Sequence, residues 1–123
     1  MNKKAKILVV DDDTKICDIL QKFLIENNFN VTCVNGGAEA IELLSNETFD
    51  LVLCDYVMPR VTGYDVARFL NAMDKKSKLA LITAWSELIR NKEKEEMNLD
   101  FLIKKPIDFS ELETYINGAL DIA

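Results

Sequence analysis

Ala5-Lys6-Ile7-Leu8-Val9-Val10-Asp11-Asp12-Asp13 is an apolar run that ends in three carboxylates, and Leu51-Val52-Leu53-Cys54-Asp55 repeats the pattern with one. Short β-branched-rich runs of this kind read as buried strands. Laid side by side and parallel, the two runs bring their carboxylates together at one edge of a sheet. Clustered carboxylates repel, and desolvation penalises their ionised forms further, so some bind protons unless a cation neutralises them. An all-oxygen site suits a hard divalent ion such as Mg2+, which keeps several waters and typically shares its shell with phosphate. Phosphate chemistry at the strand ends is therefore the first expectation.

Outward from these runs, five strand-then-helix units can be marked off. The first strand covers about 5–10, and a helix over about 14–27 carries Ile16, Ile19, Leu20, Phe23 and Leu24 at the spacing of one apolar face. A second strand, about 30–34, ends at Asn35-Gly36-Gly37, and the next helix turns Ile41 and Leu44 inward. The third strand, about 50–54, leads through a loop from Tyr56 to Thr62 into a helix from Gly63 that buries Val66, Leu70 and Met73. The fourth strand, 79–82, ends at Thr83-Ala84, and the fifth, about 100–103, ends at Lys104-Lys105-Pro106. Ser110-Glu111-Leu112-Glu113 reads as a capping box, opening a last helix with Leu112, Tyr115, Ile116, Ala119 and Leu120 on one face. Between Ile89 and Met97 the fourth helix has no apolar residue; it reads as a solvated face or as a loosely packed helix able to shift. Alternating strands and helices imply an α/β fold, a parallel sheet with helices on both sides.

A chain of 123 residues, 49% hydrophobic and 29% charged, fits one soluble domain with a real core. Its net charge of −6 argues against direct nucleic-acid binding, which needs a basic footprint. No apolar stretch approaches the roughly 20 residues that span a bilayer, so no membrane role is expected. Met1-Asn2-Lys3-Lys4 leads into a run too short and too soon acidic for a signal peptide. Cys17, Cys33 and Cys54 lack metal-finger spacing and read as buried, reduced thiols of a cytoplasmic protein. Histidine is absent. That excludes a His-ligated zinc site, a Ser-His-Asp triad and an internal phosphohistidine.

In an open α/β sheet, ligands sit outside the carboxyl ends of the strands. Those ends carry Asp11, Asp12 and Asp13 after the first strand, Asp55 after the third, Thr83 after the fourth and Lys105 after the fifth. Each has a plainer reading alone: an Asp there can cap a helix or line a solvated turn, Thr83 can cap the following helix, and Lys105 can be surface. Together they place carboxylates, a hydroxyl and an ammonium around one crevice.

The ordered set Ile7-Leu8-Val9-Val10-Asp11-Asp12-Asp13, Asp55-Tyr56-Val57-Met58-Pro59 with Gly63, Thr83-Ala84 and Lys105-Pro106 resembles the receiver domain of bacterial two-component response regulators. The resemblance covers essentially the whole chain, 1–123, as a single receiver domain with no output domain. It implies a flavodoxin-like (CheY-like) doubly wound sheet of five parallel strands in the order 2-1-3-4-5. It further implies that Asp55 is the nucleophile that takes a phosphoryl group from a partner's phosphohistidine. Mg2+, for which Mn2+ can substitute, would be held by Asp12 and Asp55, by Asp11 through water, and by the backbone carbonyl of Val57. Lys105 would pair with Asp55 and then with a phosphoryl oxygen, and Thr83 would bond another. The implied partners are a sensor histidine kinase or phosphotransfer protein, and an effector or second receiver. The second meets the face made by the fourth helix, fifth strand and fifth helix. Pro106 would follow a cis bond. Catalysis would be confined to the domain's own phosphoryl transfer and dephosphorylation.

The pattern departs at Leu102, where many receivers carry an aromatic residue; Phe101, one position earlier, points to the opposite face of the strand. That leaves the activation signal to Thr83 and the fourth helix. Asp13 is assigned to N-capping or the surface, and Val57 and Trp85, two residues past Asp55 and Thr83, border the phosphoryl position. Two other functions compete. An aspartyl-nucleophile phosphatase of the haloacid dehalogenase type carries D-x-D-x-[TV] after its first strand; Asp11-x-Asp13 fits, but the next required position is Lys15. A degenerate, non-phosphorylated interaction module would not need Asp12, Asp55, Thr83 and Lys105. No GxGxxG or P-loop pattern follows the first strand.

Overall fold

The strands form where the apolar runs do. A computed structural model, describing residues 4–74 and 77–122, places β1 at Lys6–Val10, β2 at Asn30–Val34, β3 at Leu51–Asp55, β4 at Lys78–Thr83 and β5 at Phe101–Lys104. All four strand pairings are parallel, in the order β2-β1-β3-β4-β5. Helices α1 (Thr14–Glu26), α2 (Gly37–Asn46), α3 (Gly63–Ala72), α4 (Asn91–Met97) and α5 (Phe109–Ala119) connect them, with a short 3-10 turn at Ser86–Leu88 before α4. The sheet is the expected doubly wound one.

Because successive side chains on a strand face opposite ways, each central strand feeds two cores. Ile7 and Val9 of β1, with Leu51 and Leu53 of β3, pack against Leu20 and Leu24 of α1 and Leu112 and Ile116 of α5. Leu8, Val10, Val52 and Cys54 face the other way, against Leu44, Val66, Leu70 and Met97. Burial on both faces explains why these strands are uninterrupted apolar runs rather than alternating ones.

Several details differ from expectation. Ile19 is exposed, and the buried stripe of α1 runs through Cys17, Leu20 and Leu24 instead. Met73 is exposed because it caps the C-terminus of α3 beyond the sheet. The N-cap of α5 lies two residues before the one the proposed capping box implies. Asp108 is its N-cap, accepting from the Glu111 amide at 3.1 Å, and Phe109 is drawn into the helix by its contact with Phe23, ring centroids 4.9 Å apart. Tyr115 is half-exposed and stacks on Phe101 at 5.3 Å. Cys17 and Cys54 are buried, whereas Cys33 is only half-buried. Among the described residues no helix is long and apolar enough to cross a membrane. The signal-peptide reading of Met1, Asn2 and Lys3 lies outside the described residues.

Candidate functional site

Parallel register sets the site. Val10 pairs with Cys54, so the residues that follow them, Asp11 and Asp55, leave the sheet side by side. Asp55 itself pairs with Ile82, and Thr83 pairs with Lys104. Asp11, Asp55, Thr83 and Lys105 thus emerge at one edge from three neighbouring strands and the loop after a fourth.

Carboxylate oxygens of Asp11, Asp12 and Asp55 all lie within 4.8 Å of one another. Asp11 and Asp55 are buried, and Asp12 is exposed. Lys105 spans the two buried ones, its Nζ 3.0 Å from Asp11 Oδ2 and 3.3 Å from Asp55 Oδ2. Lys105 meets the Asp55 partner that the resemblance implies, but Asp11 is the nearer of the two. The other oxygen of Asp11, Oδ1, accepts the Asp13 amide at 2.9 Å, so both of its oxygens are engaged. Asp12 makes no hydrogen bond or ion pair among the described residues, which leaves its carboxylate available to a ligand.

The Asp11 backbone is held equally firmly. Its amide donates to the Val34 carbonyl at 3.2 Å, and its carbonyl accepts from Asn35 Nδ2 at 3.1 Å and from the Cys17 thiol at 3.5 Å. In the sequence Asn35 is part of the Asn35-Gly36-Gly37 turn, and no local signal marks its bond to Asp11. Asp13 caps α1, accepting the Lys15 amide at 2.9 Å. That engages one oxygen of the carboxylate an aspartyl phosphatase would use.

One ammonium faces three carboxylates, and the electrostatics show the excess. Burial, and then the charge of Asp11, push the Asp55 carboxyl from its ordinary 3.8 up to about 6, against the opposing pull of Lys105 and the Val57 amide. Burial disfavours the Lys105 ammonium, but Asp11 and Asp55 outweigh it and hold the group above its usual value. The donor set is all oxygen and carries more negative charge than Lys105 balances. It fits a hard divalent cation such as Mg2+.

Thr83 is fully buried, and its Oγ1 accepts the Trp85 amide at 3.0 Å. Its hydroxyl proton remains to be directed elsewhere. Val57 and Trp85, two residues past Asp55 and Thr83, are exposed apolar side chains, 47% and 55% accessible. The Lys105-Pro106 bond is cis, as the resemblance implied. Gly63, at the start of α3, is required by packing. A Cβ there would lie 2.6 Å from the Asp55 carbonyl oxygen and 2.9 Å from the Tyr56 Cα, so this glycine lets α3 seat the backbone that presents Asp55.

Residues 7–117 match the family model for the response regulator receiver domain. The transcriptional regulatory protein ZraR of Escherichia coli K12 is 37% identical over 115 residues, covering 93% of this chain and 26% of ZraR. Protein PetR of Rhodobacter capsulatus is 38% identical over 118 residues, covering 93% of this chain and 48% of PetR. The chain therefore spans half or less of the length of these relatives. Among solved structures, a CheY-like receiver domain protein of Methanospirillum hungatei superposes with a TM-score of 0.91 at 26% identity, over 97% of this chain and 95% of its own. The response regulator TrrA of Thermotoga maritima, solved in complex with Mg2+–BeF, superposes with a TM-score of 0.86 at 29% identity, over 94% and 99%. With the fold, the strand-end carboxylates and these relatives in agreement, the chain belongs to the response regulator receiver domain family.

Proposed function

We propose that the chain is a phosphorylation-dependent signalling switch whose phosphoacceptor is Asp55. The observation that carries this reading is the convergence of Asp11, Asp12 and Asp55 within 4.8 Å, with Lys105 spanning the two buried members. An oxygen of Asp55 attacks phosphorus, the new O–P bond forms as the donor's P–N bond breaks, and the donor imidazole leaves. These 123 residues contain no histidine, so the phosphohistidine lies outside them. A sensor histidine kinase or phosphotransfer protein has the required chemistry.

Asp12 and Asp55 would hold Mg2+, with Asp11 and the Val57 carbonyl completing the protein's share. When bound, the ion supplies positive charge between the Asp55 carboxylate and the incoming phosphoryl group. Lys105 would exchange its bond to Asp55 for one to a phosphoryl oxygen, and the Thr83 hydroxyl would donate to another. That TrrA was solved in complex with Mg2+–BeF supports Mg2+ binding here by similarity. The capping role of Asp13 speaks against the phosphatase alternative. The retained acidic set and Lys105 speak against a degenerate module.

The output surface in this reading is the face of α4, β5 and α5, where Ser86, Lys94, Leu102 and Lys104 line a shallow recess and Tyr115 stands half-exposed. An effector or a second receiver would bind there. The proposed compartment is the cytoplasm, where a phosphohistidine donor and free thiols coexist, and the chain is taken as one receiver module whose chemistry is confined to its own phosphoryl group.

Intact-mass measurement after incubation with acetyl phosphate and Mg2+ tests this. One phosphoryl adduct is expected, lost on chelating Mg2+ and lost in Asp55→Ala. An adduct that persists in Asp55→Ala would move the acceptor to another carboxylate. The same assay followed over time tests Val57 and Trp85, whose exposed side chains would keep water from the acyl phosphate. Trp85→Glu is expected to speed dephosphorylation severalfold, and an unchanged rate would remove Trp85 from that role.

A further inference from the structure

α4 has a slender apolar anchor. Of Asn91–Met97 the buried residue is Met97, and the intervening Lys92-Glu93-Lys94-Glu95-Glu96 offers no apolar side chain. Polar contacts hold it instead. The Tyr64 hydroxyl donates to Glu96, and Asn71 Nδ2 donates to the carbonyls of Glu96 at 3.2 Å and Met97 at 3.1 Å. Both donors belong to α3. The third contact has a different origin: the Tyr56 hydroxyl reaches the two carboxylate oxygens of Glu93 at 3.1 and 3.2 Å, and Tyr56 is the residue directly after Asp55.

The connection from Asp55 to that phenol is stiff. Gly63 presses on the Asp55–Tyr56 peptide so closely that no Cβ fits, and its amide donates to the Tyr56 carbonyl at 2.9 Å. The Tyr56 ring is half-buried against the core under α3. A change in the backbone at Asp55 therefore moves the phenol rather than dissipating in a loose loop. Leu102 supplies no aromatic ring of its own to carry such a signal along β5.

The geometry points to Tyr56 as the positioning residue that couples occupancy of the Asp55 site to the placement of α4, through its bond to Glu93. The coupling rests on the phosphorylation reading above. In it, filling the site weakens the phenol–carboxylate bond and frees α4 to shift. Coupling of this kind is reciprocal: if filling the site weakens the bond, removing the bond must favour filling the site.

Beryllofluoride with Mg2+ serves as the probe, with affinity and hydrogen exchange of the α4 amides as readouts. Tyr56→Phe keeps the ring and is expected to bind the probe about fivefold more tightly than wild type, the low end of ordinary allosteric coupling. Its α4 amides should exchange faster before loading, and at the wild-type rate after it. Glu93→Gln should shift affinity in the same direction and add little to Tyr56→Phe. Tyr64→Phe is the comparison for a purely structural contact, speeding α4 exchange while leaving probe affinity unchanged. Unchanged affinity in Tyr56→Phe, or an equal gain in Tyr64→Phe, overturns the coupling while the phosphorylation reading stands. A wild-type protein that takes up neither beryllofluoride nor phosphoryl overturns both.

Discussion

Lys105→Ala is expected to lower the stability of the metal-free domain by about 3 kcal/mol at about pH 7.5, the usual cost of stripping one partner from a buried ion pair. The ammonium lies 3.0 Å from Asp11 and 3.3 Å from Asp55, and its side chain is 20% accessible, so little water is at hand to replace it. Without it, buried carboxylates face each other uncompensated. The loss should shrink at about pH 5, because Asp55, whose carboxyl is pushed up to about 6, no longer needs the ammonium once protonated. Adding Mg2+ at about pH 7.5 should restore part of the stability by supplying the missing charge. Urea unfolding at the two pH values, with and without Mg2+, measures all of this. Equal losses at both pH values would mean that Lys105 contributes through packing of its methylenes rather than through charge.

Asp55→Asn should act in the opposite direction, stabilising the metal-free fold on the order of 2 kcal/mol above about pH 7. The folded carboxyl titrates at about 6 against an ordinary 3.8. A group raised in this way contributes stability that is fully present below about 3.8 and is lost as pH rises through about 6. Asparagine has nothing to ionise, so the variant escapes that loss, while Lys105 keeps its nearer bond to Asp11. The two stability curves should converge as pH falls toward about 4. Mg2+ should stabilise wild type at neutral pH and do little for the variant. A variant less stable than wild type at about pH 7.5 would mean that the Asp55–Lys105 bond outweighs burial and the repulsion from Asp11. A site that destabilises its own fold until charge is neutralised is the expected signature of one kept for function.

The strand-and-helix alternation was legible because burial on both faces of a parallel sheet demands continuous apolar runs, and such runs are visible in one dimension. The site was legible because parallel topology sends every strand's carboxyl end to one edge, so residues far apart in number could be grouped by position alone. Helix detail was less legible. An apolar residue at helical spacing can sit at the margin of the buried stripe, as Ile19 does, or past the end of the sheet, as Met73 does. Two good capping residues stood two positions apart before α5, and the packing of Phe109 on Phe23 favoured Asp108 over Ser110.

By itself the sequence determined the fold class, the strand order through its resemblance, and the list of residues at the sheet edge, because these follow from local pattern and chain order. Only the tertiary structure decided how those residues share their charges. It gave Lys105 to Asp11 as much as to Asp55, engaged both oxygens of Asp11, and left Asp12 exposed with no partner among the described residues. It also tied α4 to Tyr56, Tyr64 and Asn71, which no periodicity foretold. The reason is physical: hydrogen bonds and ion pairs depend on distances of a few tenths of an ångström between atoms remote in sequence, whereas burial depends on the repeating geometry of the chain itself.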